Sequence, residues 1–179
     1  MIQAASGHPD RAWQAYLINF LLFSGIAQGG LLFSTVMHTV KARWSGPLSS
    51  LSESFAAFFP ISFILFLGLF LGKDYVFTWL HQDLHGKAVW LNLPFLFFRN
   101  LMGLMVLYGL GFAYLYHTVK IRLGDTECEK SRNRKTLFAI LYIVAFTLVL
   151  SLIGYDLVMA MDPHWYSTLF GAYCFVKAI

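Results

Sequence analysis

Residues 61–72 read ISFILFLGLFLG, a run in which one serine and two glycines are the only residues that are not large and apolar. Barrel strands alternate apolar and polar positions over about ten residues, and this run does not alternate. It lies in a longer apolar block, about Leu51 to Gly72. A bilayer core about 30 Å thick needs about twenty such residues at a helical rise of about 1.5 Å. Inside lipid the backbone must satisfy its own hydrogen bonds, so the block reads as a helix. Working outward, comparable blocks cover about residues 14–37, 93–118 and 136–161, and another begins at 165 and runs to 179. The expected fold is all-α, a polytopic transmembrane helix bundle with four complete spans and the start of a fifth. Residues 1–179 form one membrane domain.

Composition agrees. The 179 residues are 58% hydrophobic and 18% aromatic, with 12% charged, against about 25% charged in soluble domains. The net charge of +4 does not imply a nucleic-acid partner, because the cations gather between spans. Loops one and three carry Lys41, Arg43, Lys120, Arg122, Lys130, Arg132, Arg134 and Lys135, whereas the opposite side carries Arg11, Lys73 and Lys87. The positive-inside bias therefore predicts a cytoplasmic location for loops one and three and a periplasmic amino terminus. Cys128 and Cys174 form no CxxC or CxxCH pattern, so neither a thiolate metal site nor a covalent haem is encoded, and both read as free thiols.

The chemically densest stretch is GYDLVMAMDPHWYSTLFGAYCF, residues 154–175, with Asp156, Asp162 and His164 where one apolar segment ends and the next begins. Ionisable groups beside hydrocarbon are costly and normally face a bundle interior or a wet cavity. The third span opens at Asn92 and Pro94, as a helix does when proline falls in its first turn. Arg99 then lies roughly 8 Å inside. Asp156 lies at a similar depth on the fourth span, so the two can pair if those helices are neighbours. Asp162 before Pro163 also suits a turn or a cap.

Other signals are local. Ser50 and Glu53 have the spacing of a capping box, with Glu53 as the mouth of a proton path the competing reading. Pro60 is expected to kink the second span. Gln28, between Gly25 and Gly29, is expected to bond to another helix, although it could also line a path. Lys177 stands oddly in the last apolar segment.

At YDLVMAMDPHWYSTLFGAY, WLNLPFLFFRN and ARWSGPLSSLSESFAAFFP the sequence resembles the NrfD-like, polysulfide-reductase-type membrane subunits. It resembles more closely the second quinol:cytochrome c oxidoreductase membrane subunit of bacterial alternative complex III. The likeness covers nearly the whole chain and is most specific at DPHWYST. It implies the amino-terminal part of a longer bundle in the bacterial cytoplasmic membrane. The implied role is in a respiratory complex that oxidises quinol (menaquinol or ubiquinol): this subunit contributes to quinol binding or, with the companion subunit oxidising the quinol, to a coupled proton path, and it anchors periplasmic redox subunits. Its implied partners are a related NrfD-like membrane subunit, a periplasmic multihaem cytochrome and iron-sulfur subunits. Asp156 and His164 are the expected proton-handling residues, because a carboxylate and an imidazole can take protons from phenolic oxygens. Arg99, Asp162, Trp165 and Tyr166 are expected to line the quinol site or a proton path. No metal ligand or resident cofactor is expected in this chain. Two other classes stay open: a haem-b anchor using His38 and His117, and a transporter or ion channel.

Overall fold

The computed structural model describes residues 9–42, 44–77, 90–124, 128–162 and 167–178. Among these there is no strand, and four helices are long and apolar enough to cross a membrane. Helix α1 spans Pro9–Thr39. The second crossing, Gly46–Val76, is built from α2 (Gly46–Ser54), α3 (Phe59–Leu69) and α4 (Lys73–Val76), joined by 3-10 turns at Phe55–Phe58 and Phe70–Gly72. Helix α5 spans Leu93–Arg122. Helix α6, Cys128–Ile153, continues through a π turn (Gly154–Val158) and a 3-10 turn (Met159–Met161). A short α7, Phe170–Lys177, follows and packs against α6. The fold is an all-α polytopic membrane bundle.

The helices outrun the apolar blocks. Helix α5 continues through Lys120 to Arg122, and α6 starts well before Thr136, because Glu, Lys and Arg are good helix formers once a helix emerges from lipid. Just after α5, Gly124 has a φ of +76°, which suits glycine. Ser45 precedes Gly46 and Pro47, so the second crossing opens earlier than Leu51, with proline in its first turn. The Ser50/Glu53 capping box is therefore absent: Ser50 Oγ donates to Gly46 O at 3.4 Å inside the helix, and Glu53 turns elsewhere. Pro60 has no N–H to give, and the 3-10 turn lies immediately before α3. Asn92 does precede α5, but its side chain makes no capping bond.

Burial runs inward and apolarity outward, as lipid solvent requires. Ile64, Leu71, Val119 and Leu148 lie exposed on the outside, whereas Phe20, Phe59, Phe66, Tyr114 and Tyr142 are sealed within. Phe59 stacks on Tyr108 with centroids 4.6 Å apart and planes 17° off parallel. Phe97 meets Phe66, Phe70 and Phe77 edge-on or tilted, with centroids 5.2 to 5.9 Å away. Such offset and edge geometries suit the ring quadrupole. Packing is tight at Gly111, where a Cβ would fall 2.8 Å from Phe59 and 2.9 Å from Leu31. The most extensive helix pairing is α5 with α6, and this pairing sets the site.

Candidate functional site

Arg99 belongs to the second turn of α5, and Asp156 to the π turn that ends α6. Because the two helices are antiparallel neighbours, the residues meet. Arg99 Nε donates to Asp156 Oδ2 at 2.8 Å and Nη2 donates to Oδ1 at 2.5 Å, a side-on fork. Two parallel charge-assisted bonds are the strongest arrangement these groups can make. Asn100 Nδ2 adds a third donor to Oδ2 at 2.7 Å and also bonds Leu96 O at 2.9 Å. Asp156 is fully buried, and the Arg99 side chain is 11% exposed.

The sequence explains the local shape. A π turn inserts one residue into a helix and is frequent at functional sites. Here it carries Gly154, Asp156 and Leu157 into the interior together. Gly154 leaves room for Cys174 of α7, and Tyr155 OH donates to Thr168 O at 3.0 Å, tying the turn to the returning chain. Arg99 Cζ lies 3.8 Å from the centroid of the Trp90 ring and 4.8 Å from that of Phe95. Among the described residues two buried polar atoms around the ion pair make no hydrogen bond: Arg99 Nη1, a donor on the guanidinium edge turned away from the carboxylate, and Asn100 Oδ1, an acceptor.

Arg99 and Asp156 are thus brought together as their depths predict. Asp162 is exposed, in the turn where its N–H donates to Met159 O at 3.3 Å. His164, Trp165 and Tyr166 lie outside the described residues. Asn100 and the stacking of Trp90 were not singled out from sequence; an asparagine beside an arginine inside an apolar run was the available signal. Cys174 is a free thiol, and the Cys128 side chain lies outside the described set. Lys177 is exposed near the end of α7.

Two more polar clusters lie deeper in the bundle. Gln28 Nε2 donates to Ser24 Oγ (2.9 Å) and Tyr108 OH (3.1 Å). Ser62 Oγ bonds Ser24 and Tyr108, both at 2.7 Å. Gln28 is therefore an interhelical bonding residue, joined by Tyr142 OH donating to its carbonyl at 3.0 Å. At the far end Glu53, 8% exposed, accepts from Ser34 Oγ at 3.0 Å and pairs with Arg122 Nη2 at 2.8 Å. Ser34 Oγ is in turn 3.0 Å from Tyr114 OH. Leu31 and Phe59, both fully buried, belong to the apolar core alongside these clusters. A groove of about 370 Å³ between α1 and the first 3-10 turn, lined by Phe23, Ala27, Phe55 and Phe58 among others, contains no titratable group.

His38 Nε2 lies 3.1 Å from Thr136 Oγ1, and His117 stacks on Phe138 at 5.5 Å. The stack leaves the imidazole nitrogens of His117 unengaged, and its buried Nδ1 makes no hydrogen bond among the described residues. Among the described residues no group of three or more His, Cys, Asp or Glu side chains could hold a metal ion. Compared with known proteins, the chain matches no family model and no curated sequence.

Proposed function

We propose that this chain is a membrane subunit of a respiratory quinol:electron-acceptor oxidoreductase of the NrfD-like kind, handling quinol protons at the Asp156 end of the bundle. One observation supports the reading above others. Among the described residues, the two side chains that hold the buried Asp156 carboxylate each keep one polar atom without a hydrogen-bond partner, Arg99 Nη1 as a donor and Asn100 Oδ1 as an acceptor. A hydroxyl can accept from a guanidinium and donate to an amide oxygen. Quinol carries two such hydroxyls on an apolar ring, a match for a polar point inside a greasy bundle.

Oxidation of a quinol releases two electrons and two protons. Asp156 is the base assigned to the phenolic proton, and Arg99 supplies a permanent positive charge beside it. The proton passes on through His164, with Asp162, Trp165 and Tyr166 assigned to the same route by sequence. The electrons leave to the iron-sulfur and multihaem partners that the resemblance implies. The same resemblance supports a location in the bacterial cytoplasmic membrane beside a related NrfD-like subunit, and the positive-inside bias supports a periplasmic position for this end of the bundle.

The test is Asp156→Asn in the assembled complex. The amide keeps the size of the carboxylate and loses its titration, so assembly should persist while quinol oxidation slows or changes its pH profile. His164→Gln should act in the same direction, more weakly if water replaces the imidazole. Normal assembly with wild-type turnover, proton release and pH profile in both variants would overturn the reading.

A further inference from the structure

Trp90 stands between Arg99 and the surroundings. Its ring lies 3.8 Å from the guanidinium carbon and meets Phe95 edge-on at 6.3 Å. The indole is 50% exposed, while the Arg99 side chain behind it is 11% exposed. The cover over the guanidinium is not Trp90 alone, since the Phe95 ring of α5 lies 4.8 Å from the same carbon, but Trp90 is its nearer face. That nearer face is not fixed by a helix, since Trp90 lies in the turn ahead of α5, which begins at Leu93.

The guanidinium behind this cover is only partly used. It gives Nε and Nη2 to Asp156, so Nη1 points to the edge away from the carboxylate, where it is buried and has no hydrogen-bond partner among the described residues. Arginine stacks on aromatic faces generally, and the contact made by Trp90 is one that any planar aromatic ring can make. A ring that also carried an oxygen would offer the acceptor that indole cannot, because indole has only an N–H donor.

We propose that Trp90 is a gate over Arg99. The indole holds the place of a planar, oxygen-bearing aromatic ligand, and it swings outward when that ligand's ring takes over the stack and its oxygen accepts from Nη1. The identity of the ligand as a quinol rests on the function proposed above; the gate itself does not.

The experiment is labelling of Arg99 by phenylglyoxal, read by mass spectrometry, in native membranes containing the whole complex. Arg122, 49% exposed at the other end of the bundle, is the internal standard. Trp90→Ala removes the nearer face of the cover and should label Arg99 about tenfold faster or more, because a minor open state in the wild type is populated at about 10% or less. Trp90→Phe keeps a stacking ring and should label close to the wild-type rate, which separates the loss of that face from general loosening. Unchanged labelling in Trp90→Ala, or equal acceleration at Arg122, overturns the gate. A short-chain quinone should slow the labelling of Arg99 in Trp90→Ala. Fast labelling that the quinone leaves untouched keeps the gate and removes quinol as its ligand.

Discussion

Asn100 and Asp156 meet at 2.7 Å on the same carboxylate oxygen, Oδ2, that Arg99 Nε reaches at 2.8 Å. Consecutive residues on a helix point about 100° apart. Both reach one oxygen only because the carboxylate sits between their directions. Asn100→Leu should therefore destabilise the bundle by about 1.5 to 3 kcal/mol, the range for a hydrogen bond to a charged group. Asn100→Asp should cost more by placing a second carboxylate beside the first. Thermal unfolding of the purified complex in detergent checks both.

The pair itself should show strong coupling. Arg99→Leu or Asp156→Leu alone strands a buried charge, at about 3 to 5 kcal/mol, and the double substitution removes both charges and should cost less than the sum. A double-mutant cycle on unfolding or on complex assembly measures this, and additive losses would mean that the two residues do not interact.

The ion pair at the other end should behave differently. Arg122 is half exposed, so solvent screens its contact with Glu53. Arg122→Ala should cost less than either single change at the Arg99–Asp156 pair, and less at high salt, but more than the roughly 1 kcal/mol of a fully exposed pair, because it leaves the buried Glu53 carboxylate without this cation. Glu53→Leu should cost more, since it also strips Ser34 of its acceptor. Unfolding midpoints at low and high salt distinguish the two.

How much of this was legible in the sequence differs from residue to residue. Depth was readable, because a fixed rise per residue put Arg99 and Asp156 at one level on antiparallel helices. Direction was not. The π turn that swings Asp156 inward has no propensity signature, and Asn100 near a helix start resembles an ordinary polar residue of the first turns. The Ser50/Glu53 spacing misled because the helix had already opened at Gly46 and Pro47, and a capping box inside a helix has no free N–H groups to satisfy. Trp90 was recognisable as an interface aromatic, but its stack on Arg99 depends on the turn before α5. His164, Trp165 and Tyr166 stand on sequence alone.

Topology gives a further test. In a background with Cys128 and Cys174 replaced by serine, a cysteine at Thr168 should react with an impermeant thiol reagent in intact cells and one at Asn133 should not. Both positions are exposed. Ser131, on the same loop as Asn133, is buried and would be a poor reporter. The reverse labelling pattern would invert the orientation of the bundle.

Gly111→Ala should overpack the core against Phe59 and Leu31. A loss of about 1 to 3 kcal/mol is the usual range for such an insertion. Gly109, three-dimensionally open on the same helix, is the control, and alanine there should leave the unfolding midpoint nearly unchanged or raise it.

The π turn at 154–158 makes the charge pair a matter of phase. Removing one residue between Ile153 and Met159 would let α6 run on as a plain α-helix. The helix beyond the turn would keep its phase, because the extra residue is absorbed within the turn, and the side chains of the turn itself would change direction. If the missing residue precedes Asp156, the carboxylate would be carried off the Arg99 side of the helix with no change in its chemistry. A gap of one amino acid would thus abolish the site while leaving the hydropathy of the span intact, and a single insertion into an ordinary helix could have created it.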